Sequence, residues 1–255
     1  MLVDAHCHLD FAPFDDDRVE VFASAKAVGV ARFVVPGTTR SHWQRVLALG
    51  VRADTSVCLG LHPYFVDEHQ ASDINALDAL LGEHPEVVAV GECGIDGRFT
   101  DTLEAQWRYF DAQLRLAKQY ALPVVVHCVH ANDQVAKRLR QLALPKAGLI
   151  HAFSGSIEQA NQFLDLGFKL GVGGAVTYER AKRLRRTVAA LPEGAFVLET
   201  DSPDMPLSGY QGMRNEPRRV AEVCSVVAAL RGQAVEQVAA QSSDTAATLF
   251  GLPCT

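Results

Sequence analysis

A regular alternation constrains this chain more tightly than any single residue. Short apolar, β-branched runs recur at residues 2–6, 32–36, 56–61, 87–92, 123–127, 148–151, 168–172 and 196–200. Each is followed by a segment whose apolar residues fall at helical spacing. Residues 15–28 put Val19, Phe22, Ala23 and Ala27 near one face. Residues 102–120 carry Trp107, Phe110, Leu114 and Ala117, and residues 178–191 carry Ala181, Leu184, Val188 and Leu191, on similar stripes. Ser41, Ser72 and Ser156 stand where helices should start, and Gly29 and Gly167 where they should stop. The last unit is longer, with helical patterns at 216–230 and 234–250.

Strands that are apolar throughout are buried on both faces, as in a parallel sheet covered by helices. Eight such units in 255 residues predict an α/β fold, a TIM (β/α)8 barrel spanning 1–255 as a single domain. The alternative is an open doubly wound sheet, which favours a glycine-rich phosphate loop after the first strand. Here that place reads His6-Cys7-His8. A hydrophobic content of 48% is enough for one sizeable core, and 21% charged residues match a globular rather than a disordered chain.

No apolar run is long enough to predict a transmembrane helix, and no basic-then-apolar leader opens the sequence, so the expected location is cytoplasmic. The formal charge of -6 excludes a general polyanion binder. A nucleic-acid partner would need a local site, with bound cations supplying the positive charge. Cys7, Cys58, Cys93, Cys128, Cys224 and Cys254 form no C-x-x-C pair, and buried reduced thiols are expected.

The polar residues fall at strand ends. His6 and His8 close the first run, His62 follows the third, Glu92 ends the fourth, His127 the fifth, His151 the sixth and Asp201 the eighth. In a barrel these ends converge on one face, where barrel enzymes keep their active sites. Residues i and i+2 of a strand point the same way, so both imidazoles of His6-Cys7-His8 can face one metal, with Cys7 turned outward. Singly, His127 or His151 is more simply a core histidine bonded to backbone; together with the His-x-His pair they point to a metal site. Buried carboxylates need partners, and Glu92, at the centre of the imidazoles, has the place of a bridge between two divalent cations. Asp201 is a candidate to bind one cation and to orient or deprotonate its water. His62 reads either as a general acid or substrate-phosphate ligand, or as a structural histidine before Pro63. The basic clusters at 137–140, 182–186 and 214–219 read mainly as solvated faces; Arg180 and Arg214, nearer the catalytic face, are candidates to steady a phosphate backbone.

These motifs, in this order, resemble the TatD family of metal-dependent deoxyribonucleases over essentially the whole chain. The resemblance rests on Asp4-Ala5-His6-Cys7-His8-Leu9-Asp10, Gly60-Leu61-His62-Pro63, Gly91-Glu92-Cys93-Gly94-Ile95-Asp96, Pro123-Val124-Val125-Val126-His127, His151-Ala152-Phe153-Ser154-Gly155-Ser156 and Leu198-Glu199-Thr200-Asp201-Ser202-Pro203. It implies one divalent ion on His6, His8, Glu92 and Asp201, and a second on Glu92, His127 and His151. It also implies phosphodiester hydrolysis in DNA or a nucleotide oligomer, with no required protein partner. Zn, Mn and Mg are the candidate ions; the mixed donor set also suits Fe or Ni, and Mg prefers more oxygens. The sequence departs from the family at Gly97-Arg98-Phe99 and at Val129-His130, and residues 204–212 resemble a YjjV-like subgroup, which leaves substrate choice open. An amidohydrolase or esterase acting on a small or aminoacyl substrate is the alternative. Many binuclear amidases bridge their metals with a strand lysine, and none stands near Glu92 or His127.

Overall fold

The structure is a computed structural model that describes residues 1–252. Eight strands lie in the order of the chain: β1 (Leu2–Asp4), β2 (Val30–Pro36), β3 (Thr55–Leu59), β4 (Val87–Asp96), β5 (Val124–Val129), β6 (Gly148–Ile150), β7 (Lys169–Val172) and β8 (Phe196–Leu198). Each pairs in parallel with the next. Between and after them run α1 (Arg18–Ala27), α2 (Trp43–Leu49), α3 (Ala71–Glu83), α4 (Leu103–Tyr120), α5 (Asn132–Leu142), α6 (Ile157–Leu164), α7 (Lys182–Ala190), α8 (Val220–Arg231) and α9 (Val235–Phe250). This is the (β/α)8 barrel that the alternation predicts.

The seam between β8 and β1 closes just beyond the strands. Ala5 N–H donates to Leu198 O at 3.0 Å, Asp201 N–H to His6 O at 2.9 Å and His8 N–H to Ser202 O at 2.7 Å. The buried Asp4 carboxyl accepts from Thr200 N–H and Oγ1–H at 3.0 and 2.6 Å. Burial pushes that carboxyl well above the usual carboxylate range despite these bonds.

Strands apolar on both faces feed two separate cores. Val3, Val34, Cys58, Ala89, Val125, Leu149 and Val197 point inward and meet Ala246, Phe250 and Leu252, so the end of α9 stoppers the barrel's lower end. Their neighbours in sequence, such as Phe33, Val35, Val124, Val126, Phe196 and Leu198, join the layer between sheet and helices. That filled floor leaves only the upper end, at the strand C-termini, open for a site.

Some local expectations shift. Val19 is 75% exposed; α1 instead buries Val21, Phe22 and Ala25, and Arg18 at its start bonds Leu9 O and Asp15. Ser41 does not cap α2, since its hydroxyl bonds Thr39 and His42 precedes the helix. Ser72 lies inside α3, which Asp73 caps by accepting from Gln70 N–H. Ser156 does cap α6 reciprocally with Gln159. Gly29 and Gly167, at φ of 88° and 83°, follow α1 and α6 in left-handed conformation. Arg219 is buried over the Tyr210 ring rather than solvated. Cys7, Cys58, Cys93, Cys128 and Cys224 are free and buried; Cys254 lies outside the described residues.

Candidate metal centre

The upper end of the barrel gathers His6, His8, His62, Glu92, His127, His151 and Asp201 around a common centre. His6 and His8 lie just past β1 and Asp201 just past β8, whereas Glu92 and His127 sit within β4 and β5. β4 continues to Asp96 because its last residues pair with β5 through Cys93↔Val126 and Asp96↔Val129. Cys7 turns its thiol away, toward Val34 O. Asp201 adopts φ of 57°, a left-handed conformation that Asp tolerates better than most residues.

Glu92 is 1% exposed and stands between two sets of nitrogens. Its Oε2 lies 3.1 Å from His6 Nε2 and 3.4 Å from His8 Nε2. Asp201 Oδ1 lies 3.4 Å from each of the same two nitrogens, which are themselves 3.2 Å apart. On the other side, Glu92 Oε1 lies 2.9 Å from His62 Nε2, 3.1 Å from His127 Nδ1 and 3.3 Å from His151 Nε2.

These spacings suit a cation better than hydrogen bonds. A tetrahedron with edges of about 3.3 Å has its centre about 2.0 Å from each vertex, the ordinary distance for nitrogen and carboxylate ligands of Zn²⁺. Glu92 Oε2 is buried without a hydrogen-bond partner among the described residues, although it faces two imidazoles. Charge agrees with geometry. Burial opposes ionisation of Glu92, yet the surrounding histidines hold its carboxyl well below the usual range. Burial also opposes charge on His8 and His127, but Asp201 and Glu92 push His8 up, and Asp96 and Glu92 push His127 up. The anionic pocket therefore calls for positive charge, which protons or metal ions can supply.

A second ring of carboxylates orients the imidazoles. His127 places Nε2 3.1 Å from Asp96 Oδ2, so its Nδ1 faces Glu92. Arg98 bonds both oxygens of that Asp96 carboxylate. His151 places Nδ1 3.2 Å from Glu199 Oε1, which also accepts Ala152 N–H at 2.6 Å. Such partners fix the ring and its tautomer. Gly171 makes room for Glu199: a Cβ there would stand 2.2 Å from Oε2. Ligand atoms of His6, His151 and Glu199 also lie within 4.8 Å of one another, but Ala152 and His151 already engage Glu199. Sequence reading assigned no role to Asp96, Glu199 or Asp4. Their one signal was proximity: each stands two or four residues from a candidate ligand, Asp4 from His6, Asp96 from Glu92 and Glu199 from Asp201.

The two arginines stay outside this cluster. Arg180 is exposed, with its guanidinium 5.0 Å from the Tyr178 ring, in a depression it shares with Ala175, Met205 and Pro206. Arg214 bonds both oxygens of Asp17 as well as Glu216 and Pro13 O, and so clamps the loop after β8 to the loop after β1.

The family described as TatD related DNase matches residues 3–251. The chain belongs to this family. As a TatD-family protein it is a metal-dependent hydrolase, and its donor set fits that description. It is 41% identical to the uncharacterized metal-dependent hydrolase YjjV of Escherichia coli strain K12, over 98% of both chains. The crystal structure of that TatD homologue superposes with a TM-score of 0.95, covering 99% of this chain and 98% of that one. The 3'-5' ssDNA/RNA exonuclease TatD of Pantoea ananatis is 35% identical, over 98% of this chain and 100% of its own. No helix among the described residues is long and apolar enough to cross a membrane.

Proposed function

We propose that this TatD-family chain is a two-metal phosphodiesterase that removes nucleotides from an end of single-stranded DNA or RNA. The observation that carries this reading is the division of Glu92: Oε2 faces His6 and His8, and Oε1 faces His62, His127 and His151. One cation would be held by His6, His8, Glu92 and Asp201, the other by Glu92, His127 and His151, with His62 beside them as a hydrogen-bond donor. A paired cation centre of this kind supplies acidified water and neutralises charge on the phosphoryl oxygens. The name of the Pantoea ananatis relative supports the choice of substrate and of a chain end.

The side chains have separable tasks. Asp201 takes the proton of the attacking water, being the carboxylate with 18% of its side chain exposed at the pocket mouth. Glu92 is kept dry by its burial and, against that burial, kept ionised by its five imidazole neighbours. His62 accepts Tyr64 N–H at its Nδ1 at 3.0 Å, so its neutral ring carries the proton on Nε2, 2.9 Å from Glu92 Oε1, as a donor that can meet the departing oxygen. Asp96 and Glu199 keep His127 and His151 from rotating.

The test is to incubate chelator-stripped protein with end-labelled single-stranded DNA, with and without Mn, Mg or Zn, beside Glu92→Ala and His127→Ala. Metal-restored release of nucleotides by the wild type and at least about 100-fold less by either variant is the expected result. Wild-type rates in both variants would overturn the assignment. Two bound metals with no cleavage of DNA or RNA would transfer the site to ester or amide substrates.

A further inference from the structure

A cleft opens beside the metal centre between the loops that follow β1, β2 and β3. It is lined by Phe11, Thr38, Thr39, His42, Phe65 and Glu68, among others, and has a volume of about 290 Å³. Its two phenylalanines rest directly on side chains of the centre. The Phe11 ring stacks on His8 at 4.7 Å between centroids, with 16° between planes, and Phe65 stands 5.8 Å from His62. Whatever occupies this cleft therefore adjoins the reacting phosphate.

The chemistry of the lining selects an occupant. The volume is at the small end for ligand sites, suiting one nucleoside rather than a longer segment. Aromatic walls favour a flat, uncharged ring, because every base has a face that stacks on them. Thr38 is 2% exposed, and its Oγ1 has no hydrogen-bond partner among the described residues. A hydroxyl so placed can donate or accept, which matches the edge of a base. Glu68, exposed at the rim, disfavours a phosphate there. The exposed cations Arg180, Lys182 and Arg183 stand in the loop after β7 and the start of α7, two to four strands round the barrel from the cleft, whereas Arg40 beside the cleft is paired with Asp73. The polyanionic remainder of a strand is drawn to that side, which leaves the cleft for its uncharged end.

We propose that this cleft is the subsite for the terminal nucleoside of the strand, with Phe65 stacking on the base and Thr38 bonding its edge. The proposal rests on the exonuclease reading above and names the part of the substrate that the enzyme grips. It makes Phe65 and Thr38 determinants of specificity, acting on the base and not on the phosphate.

The experiment uses the Mn-loaded full chain and two single-stranded thymidine oligomers, alike except that one ends in an abasic nucleotide at the 3' terminus. kcat and KM for release of that terminal unit are measured for wild type, Phe65→Ala, Phe65→Leu and Thr38→Val. Base–aromatic stacking is worth roughly 1–3 kcal/mol, so the wild type should prefer the base-bearing end by about 5- to 150-fold in kcat/KM. Phe65→Ala should lose most of that preference, chiefly in KM on the base-bearing end, over and above any common factor that its contact with His62 applies to both substrates. Phe65→Leu preserves apolar volume without a ring and should lose the preference too, which separates stacking from damage to the fold. Equal wild-type rates on both ends would overturn the subsite and leave the exonuclease reading standing. So would variants that slow both substrates by one common factor. Wild-type protein that releases nothing from either oligomer would overturn the exonuclease reading, and the subsite with it.

Discussion

Glu199 offers the sharpest perturbation of the centre, because its hydrogen bonds orient a ligand of one half. It is fully buried, with Oε1 engaged by Ala152 N–H at 2.6 Å and His151 Nδ1 at 3.2 Å. Through that contact His151 presents Nε2 to Glu92 Oε1 at 3.3 Å. Glu199→Gln preserves size while replacing one oxygen by a donor. The amide oxygen can still accept from Ala152 N–H and His151 Nδ1–H, but the negative charge that raises the basicity of the imidazole is gone. Replacing such an orienting partner lowers metal affinity by about 10- to 100-fold, or about 1.4–2.8 kcal/mol. The loss should fall mainly on the ion shared by His127 and His151; the His6 ring, stacked on His151 at 3.8 Å, passes on a smaller part, so the His6–His8 ion should weaken clearly less. Gly171→Ala reaches the same carboxylate sterically, since its Cβ would stand 2.2 Å from Oε2. Both variants should therefore weaken chiefly the same one of two binding steps. Calorimetric titration of chelator-stripped protein with Zn or Mn separates the steps, and circular dichroism before titration checks that the barrel is intact. Two unchanged steps in Glu199→Gln, or two steps weakened equally in an intact barrel, would refute the reasoning.

Three further outcomes are expected. Asp4→Ala strands two donors of Thr200 in a buried seam and should destabilise the metal-free protein by about 1–3 kcal/mol per donor, read by urea denaturation; Asp4→Asn should recover a good part of it. Removing metal should lower the melting temperature, because ions that bind only the folded chain stabilise it by about 2.7 kcal/mol at a hundred times their Kd; a melting temperature unmoved by chelator and by added Mn or Zn would contradict the metal centre. Burial alone would raise the Asp54 carboxyl, but Arg52 and Lys26 outweigh it and hold it below its usual value. Its contribution is thus present above the ordinary carboxylate pKa and is lost as pH falls through the lowered folded value, so Asp54→Asn should flatten the acid side of a stability-against-pH curve.

The fold was legible because eight apolar runs and their intervening helical stripes carry one message at two periods. What the runs concealed was direction. Val34 and Val35, or Val124 and Val125, are chemically alike, yet alternate between the barrel interior and the helix layer. Strand ends were blurred for the same reason: Gly91 and Gly94 interrupt the apolar pattern of β4, although the backbone goes on pairing to Asp96. At the site, histidines at strand ends announced themselves by type and place. His62 was left between two readings because one histidine before a proline has a structural use as well; its Nε2 lies 2.9 Å from Glu92. Asp96 and Glu199 stood inside quoted motifs without a role, since a carboxylate near a glycine or threonine has many uses until its imidazole partner, 31 or 48 residues away, is known. Arg214 shows the converse: its position suggested phosphate, but Asp17 and Glu216 occupy the guanidinium.

The seam between the first and last strands has a consequence for the timing of activity. His6 and His8 are synthesised well before Asp201, which follows His6 by 195 residues. Asp201 reaches His6 solely through the junction that Asp4, Thr200 and the flanking amides lock. A nascent or truncated chain can thus hold most of the donors and still lack the assembled centre. Hydrolytic competence becomes a property of the finished barrel.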